Sequence, residues 1–346
     1  MAYRVIQWTT GNVGRQTLKA LIAKPGFELV GVFAHGRDKV GRDAAELCGL
    51  DTPTGICATD DVEALLRSGA DACVFSGRWF DVDLVCRLLE AGINVVTHAA
   101  FINGRWLGED ARHRLQEACI KGAASLYGSG INPGFANIIA VVSTQLCARV
   151  DQIRVTEAVD STYYDSWETE VKVGFGQKPD APGLVENARE ATEVFGDAVE
   201  MMADALGVVL DEIVFDMDTA LATARNELGY ATIEEGTVSA VDGRWRGRIG
   251  GRDFIVLRFR WKKGTHVEPF EIDGGYRIEV DGNPSVLATA HLQRPVPQTD
   301  GDAMAVGMIA TGLPALNAIP SAVAAQPGIV AMHQMNAFGA CDVFSF

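Results

Sequence analysis

VIQWTTGNVGRQTLKALI, residues 5–22, runs from an apolar stretch through Thr9, Thr10, Gly11 and Gly14 into a helical pattern. Val13, Leu18, Leu21 and Ile22 fall on one face of that helix. A strand, a glycine turn and a helix in this order form the phosphate-binding unit of dinucleotide-binding proteins, whose full fingerprint is GxGxxG. Thr9 stands here in place of the first glycine. Gly11 lets the backbone approach a pyrophosphate. Gly14 lets the helix pack on the strand, and the helix N-terminus offers unpaired N–H groups and a partial positive charge. The turn predicts a cofactor site formed by Thr10, Gly11, Asn12, Val13 and Gly14. The alternative is a purely structural turn.

Outward from this turn, strand and helix patterns alternate to about residue 135. ELVGVFA, ADACVFSG, INVVTHA and AASLYGSG read as strands, and DDVEALLRSG, DVDLVCRLLEAG and EDARHRLQEACIKG as helices. Such alternation implies a parallel sheet with right-handed crossovers. Beyond INPGFANIIAVVSTQLCAR the pattern changes. TIEEGTVSAVDG, RWRGRIGG, DFIVLRFRWKKG, GYRIEVDG and PSVLATAHLQ read as strands divided by Gly, Asp and Asn turns, with one long helix at about 184–206. GQKPDAPG, 176–183, reads as a mobile loop, and the Ala-rich tail as helical with breaks at Pro314 and Pro320. The expected fold is α/β: an N-terminal Rossmann domain with a doubly wound parallel sheet over 1–135, then an inserted α+β domain with a mostly antiparallel sheet over 136–300. A C-terminal helical segment, 301–346, returns to the Rossmann domain.

The 346 residues are enough for two domains. The formal net charge of -15 argues against nucleic acid and anionic membrane surfaces as partners. Seven scattered cysteines, none in a CxxC pair, read as free thiols of a cytoplasmic protein. The histidines are far apart and no HExxH or Gly-x-Ser-x-Gly motif occurs, so no metal or acyl-transfer site is expected.

The second strand ends in Ala34, His35, Gly36 and Arg37, without the acid that holds the ribose 2′-hydroxyl in NAD-preferring sites. His35, Arg37 and Lys39 are placed to meet a 2′-phosphate, so NADP(H) is preferred over NAD(H) as cofactor; solvated loop charges are the alternative. Ser76, Gly77 and Thr97, at the ends of the third and fourth strands, join the cofactor set. His98 follows at the carboxyl edge, where a neutral imidazole can exchange a proton with a carbonyl or alcohol. In DSTYYDSWE, Tyr163, Tyr164 and Trp167 are candidates to line an apolar pocket, with a tyrosine hydroxyl as proton donor. Glu157, in RVTEAVD, faces either substrate or solvent. The candidate catalytic residues are thus His98, Tyr163 and Glu157.

TTGNVGRQTLKALI, KVGRDAAELCGLD, INVVTHAAF, GSGINPGFAN and LPALNAIPSAVAAQPGI together resemble the dihydrodipicolinate-reductase-like oxidoreductases. The branch in question contains 2,4-diaminopentanoate dehydrogenase and the native amine dehydrogenases. The resemblance implies nicotinamide-dependent chemistry at a C–N or C–O centre and a homodimer formed through the second domain. It also implies that Asn132, Pro133 and Gly134 lie beside the nicotinamide, with Asn317 close by. The paired histidines and Ser-Gly-Thr anion loop of true dihydrodipicolinate reductases are absent. So is the glutamate that amine dehydrogenases carry just past the fourth strand: the chain there reads Thr97-His98-Ala99-Ala100-Phe101-Ile102, and Glu109 reads as a helix-start acid. The expected function is an NAD(P)-dependent oxidoreductase acting on a small, largely apolar carbonyl/alcohol or imine/amine substrate. Carbonyl reduction is expected to exceed amination. Two alternatives stand beside it: an amine dehydrogenase using a replacement acid such as Glu157, and a non-catalytic NADP(H) sensor.

Overall fold

A computed structural model describes residues 2–293 and 305–335. The remainder of the 301–346 segment, Cys341 included, lies outside the described residues. The strands are β1 (Tyr3–Trp8), β2 (Phe27–Phe33), β3 (Ala58–Thr59), β4 (Ala72–Phe75), β5 (Asn94–Thr97), β6 (Ser125–Gly128), β7 (Arg149–Asp160), β8 (Glu212–Leu221), β9 (Asn226–Glu227), β10 (Thr232–Ile233), β11 (Val238–Ile249), β12 (Arg252–Lys262), β13 (Gly275–Asn283), β14 (Val286–Ala290) and β15 (Gly328–Val330). The α-helices are α1 (Asn12–Ala23), α2 (Ala44–Cys48), α3 (Val62–Leu66), α4 (Val82–Glu90), α5 (Glu109–Gly122), α6 (Ala136–Ser143), α7 (Trp167–Val173), α8 (Leu184–Ala191), α9 (Glu193–Leu206), α10 (Ala305–Asn317) and α11 (Ile319–Ala324). The chain divides into two compact units: Met1–Phe135 with Gly307–Phe346, and Ala136–Val306.

The first unit is built on a seven-stranded sheet of order β15-β6-β5-β4-β1-β2-β3. Every neighbouring pair is parallel. Strand order reverses at β1, which has β2 on one side and β4 on the other, so the switch point where such sheets bind ligands lies between β1 and β4. Apolar runs form these strands because both faces are covered. Trp8 stacks on Phe33 at 4.1 Å between ring centroids, and Phe80 on Phe101 at 4.6 Å. Two strands of the sheet, β3 and β15, were not expected from sequence. Of the expected breaks in the tail, Pro314 lies inside α10 and Pro320 in the first turn of α11. The run Val306–Ala324 has a mean hydropathy of 1.4 and is long and apolar enough by composition to cross a membrane. Here Ala315, Leu316, Ile319 and Ala322 are buried, and the Ala322 carbonyl accepts from Ser125 Oγ of β6 at 2.7 Å.

The second unit carries a six-stranded sheet of order β14-β13-β7-β12-β11-β8, antiparallel except for the central β7–β12 pair. One face is apolar: Ile153, Val155, Leu257, Phe259, Ile278 and Trp245 lie on it, and α9 packs against it. The opposite face is charged. Arg154, Arg244, Arg248 and Arg258 pair there with Asp281, Asp216, Asp253 and Asp242 at 2.7–2.8 Å. Two expectations are corrected. The helix expected at 184–206 is broken at Thr192, whose hydroxyl donates to the Ala188 carbonyl and accepts from Trp245 Nε1. SAVDG and RWRGRI form one strand, β11: a Cβ on Gly243 would lie 2.1 Å from the Phe259 ring, and one on Gly247 would lie 2.7 Å from Val199 and Leu210. These mid-strand glycines make room for packing rather than for a turn. The 176–183 segment is anchored at its start, where Gly176 N–H donates to the Val238 carbonyl and Val238 N–H to the Gln177 carbonyl.

Candidate functional site

The glycine turn follows β1 and opens α1. Thr9, at the position of the missing glycine, has φ 67°, a left-handed conformation that costs an L-residue about 1–2 kcal/mol. Its own side chain offsets this: Thr9 Oγ1 donates to the Ser76 carbonyl at 2.6 Å, joining the ends of β1 and β4, and such a bond contributes about 1 kcal/mol. A threonine can therefore do the work of a glycine here. A Cβ on Gly14 would meet the Thr9 carbonyl at 2.5 Å, so helix and turn approach as only glycine allows. Gly11 is exposed, and a Cβ there would meet nothing within 4 Å.

The helices α2, α3 and α4 are capped by Asp43, Asp61 and Asp81, which accept from the first-turn amides. Helix α1 begins at Gly11 with no side-chain cap and no acid in its first turn. Its leading amides and dipole thus face outward, the arrangement that receives an anion. Lys39 Nζ donates to the Thr10 carbonyl at 3.1 Å and adds positive charge beside the turn. His35, packed edge-on against Phe33, and Arg37 are exposed on the loop after β2.

A polar network joins the carboxyl ends of β1, β4 and β5. Gln7 Nε2 donates to Ser76 Oγ at 2.9 Å, and His98 Nε2 lies 2.9 Å from the same oxygen. Burial disfavours the imidazolium and pushes the His98 pKa down to about 4, so the ring is neutral at physiological pH. Thr97 is fully buried; its hydroxyl donates to the Phe75 carbonyl and accepts from Ala99 N–H, which ties β5 to β4. Gly77 lies against the Phe75 ring. After β6, Ile131–Phe135 is a non-helical loop with a cis Asn132–Pro133 peptide and Gly134 at φ 142°.

In the second unit, Glu157 is the acid on the apolar sheet face. On β7 it shares its face with Val155 and Val159, and it stands opposite Phe259 of β12 and Tyr276 of β13. It is buried and accepts from Trp261 Nε1 at 2.7 Å. Trp261 in turn stacks on Phe259 at 4.4 Å. Burial first, and then the Glu157 charge, push the Tyr276 phenol well above its ordinary range, so Tyr276 stays protonated. A carboxylate among aromatic faces is a setting that recognises an ammonium group.

The profile of the 2,4-diaminopentanoate dehydrogenase C-terminal domain matches residues 135–342. An amine dehydrogenase of Streptomyces virginiae is 32% identical over 342 residues, covering 94% of this chain and 93% of that protein. The chain belongs to the diaminopentanoate and amine dehydrogenase family. It is accordingly an NAD(P)-dependent oxidoreductase with a nicotinamide cofactor and a small-molecule substrate. An amine dehydrogenase structure from Mycobacterium smegmatis shares the fold, with a TM-score of 0.80 over 99% of both chains at 20% identity. A 4-hydroxy-tetrahydrodipicolinate reductase of Synechococcus elongatus is 39% identical, but over 62 residues only, 18% of this chain.

The first unit fits the nicotinamide cofactor of this family. Beyond the uncapped α1 N-terminus, the buried atoms Thr10 Oγ1, Gln7 Oε1 and Asn317 Oδ1 have no hydrogen-bond partner among the described residues. Helix α10, which ends at Asn317, lies against α1, where a Cβ on Gly312 would come within 2.2 Å of Thr17 Oγ1. Other predicted residues are placed elsewhere. Tyr163 is 66% exposed. Tyr164 is half-buried beside Lys263, and Trp167 half-buried beside Gly176. Of the two residues that stand in place of the expected glutamate, Ala99 is buried and Ala100 exposed with φ 46°. Sequence reasoning missed Gln7 and Trp261. In DFIVLRFRWKKG, Trp261 and Lys263 alternate in phase with Phe259, which was the available signal. No cluster of His, Cys, Asp or Glu suited to a metal occurs among the described residues.

Proposed function

We propose that the protein interconverts a small, largely apolar ketone or aldehyde and the corresponding primary amine, with NADP(H), and that Glu157 receives the ammonium. The buried Glu157 on an aromatic sheet face is the observation that carries this reading. A buried carboxylate beside aromatic rings can receive a cation, and a protonated amine or iminium is such a cation. The amine dehydrogenase of Streptomyces virginiae supports the same direction. Bound NADPH supplies the hydride. The chain supplies the α1 amides, Gly11, Thr10 and Asn12 for the pyrophosphate. Ser76, Gly77, Thr97, Asn132, Pro133, Gly134 and Asn317 complete its cofactor set. In the first unit, neutral His98, fixed by Ser76, is the candidate to give or take a proton; in the second unit, Tyr163 is the candidate beside Glu157. The test is one carbonyl substrate assayed with NADPH in the presence and absence of ammonia, with amine and alcohol quantified.

A second reading, carbonyl reduction to an alcohol, rests on Ala99 and Ala100 standing where amine dehydrogenases carry a glutamate. It predicts alcohol as the main product in the same assay.

NADP(H) preference rests on the loop after β2, which has no acid at the strand end and exposes His35 and Arg37. Arg37→Ala is expected to weaken NADPH binding by about 1–3 kcal/mol while leaving NADH affinity unchanged. Equal losses for both cofactors in calorimetric titration would count against a 2′-phosphate contact.

We further propose a cytoplasmic homodimer with neither nucleic-acid nor membrane partners. The support is the net charge of -15, the free thiols and the paired charges covering one face of the second sheet. Interfaces rich in paired charge weaken with salt. Sedimentation at micromolar protein should show a dimer that loosens as salt is raised; a monomer at low salt would refute it.

A further inference from the structure

Lys263, immediately after β12, has no exposed surface. Its ammonium donates to the Ser161 carbonyl at 2.7 Å, the Tyr164 carbonyl at 3.2 Å and Tyr230 Oη at 3.0 Å. Glu170 of α7, itself buried, lies 3.1 Å away and neutralises it. The rings of Tyr164, Phe175 and Tyr230 surround the ammonium at 5.5–5.7 Å. Burial lowers the lysine pKa and raises that of Glu170, while each partner's charge opposes the shift of the other.

A buried ion pair of this kind is a poor stabiliser: apolar residues of equal volume commonly do as well or better, and what the pair supplies is one defined geometry. The geometry fixed here is that of the loop following β7, the strand that carries Glu157. Both carbonyls bound by Lys263 belong to this loop. Two further bonds hold the same segment: Tyr230 Oη donates to the Thr162 carbonyl at 2.9 Å, and Gly264 N–H donates to Thr162 Oγ1 at 2.9 Å. Trp261, two residues before Lys263 in the chain, holds Glu157. The end of β12 and the residue after it therefore reach both the acid and the loop beyond it.

We propose that the Lys263–Glu170 pair is a positioning device for substrate: it holds the Ser161–Ser166 loop, and with it Tyr163, in one path as a wall of the site around Glu157. The inference rests on the reading of Glu157 given above. Neither residue of the pair is catalytic; both act through the loop.

The test removes both charges together. The Lys263→Met/Glu170→Gln enzyme should fold, bind NADPH with the parent's affinity, and show a KM for the carbonyl substrate raised about tenfold, with kcat within about twofold of the parent. A purely structural pair would move melting temperature without this split. A folded double variant with the parent's KM overturns the proposal. If the double variant does not fold, Tyr230→Phe decides, since it removes one bond to the ammonium and one to Thr162. A KM raised about threefold supports the device, and an unchanged KM overturns it. Glu157→Gln, which leaves the clamp intact, is assayed in parallel. Full amination by that variant removes the assignment of Glu157 alone, and the KM of the clamp variants still reports on the loop.

Discussion

The Gly11→Val protein should fold normally and bind NADPH at least about a hundredfold more weakly than the parent, a loss of roughly 2.7 kcal/mol. The fold has no objection to the side chain. Gly11 has φ -72°, open to any L-residue, and its Cβ would meet nothing within 4 Å. The added methyl groups would instead occupy the space before the α1 amides, the position proposed for the pyrophosphate oxygens. Gly14 would give no such clean result: a Cβ 2.5 Å from the Thr9 carbonyl strains the turn itself. Thermal melting beside calorimetric titration with NADPH separates the two effects. An unchanged affinity in a folded Gly11→Val protein places the phosphates elsewhere.

Glu157→Gln should lower kcat/KM for reductive amination by about two to three orders of magnitude and leave alcohol formation from the same carbonyl nearly unchanged. The amide is close to isosteric, and its oxygen can still accept from Trp261 Nε1, so packing on the sheet face is kept. What is lost is the charge. A cation buried without its counter-charge costs about 3–5 kcal/mol, which corresponds to the predicted loss in rate. Steady-state kinetics with ammonia varied at fixed carbonyl would check it. Equal losses in amination and carbonyl reduction would mean that Glu157 supports the fold rather than the ammonium.

The sequence made the parallel sheet legible where strands were long enough to show a run, as in β1, β2, β4, β5 and β6. It concealed β3 and β15, which at two and three residues have no period to detect. The strand–turn–helix unit at β1 and α1 was readable despite Thr9, because the strand before the turn and the helix after it were intact. What could not be read was how Thr9 manages without glycine, since the compensating bond goes to Ser76, sixty-seven positions away. The second unit misled at Gly243 and Gly247. In sequence these glycines look like turns, and in the fold they accommodate Phe259, Val199 and Leu210. The break at Thr192 carries no glycine or proline and depends on Trp245 from a strand far along the chain.

The site was legible unevenly for the same reason. His98 and Ser76 end adjacent parallel strands, so topology alone brings them together at 2.9 Å. Glu157 was visible as a lone acid on a strand, and its face could be settled only once the register against Phe259 and Tyr276 was known. Tyr164 and Trp167 read as pocket aromatics because aromatic loop residues at a strand end suit a ligand. Two of their neighbours, Lys263 and Gly176, come from segments that no local pattern links to them.

The proposed handling of a C–N bond through Glu157 is open to direct test. The most direct measurement is the product ratio from one small apolar ketone with NADPH and excess ammonia, for the parent protein and Glu157→Gln. Amine is expected as the main product of the parent, and alcohol as the main product of the variant. Alcohol as the main product of the parent at saturating ammonia would contradict the proposal and leave carbonyl reduction as the activity.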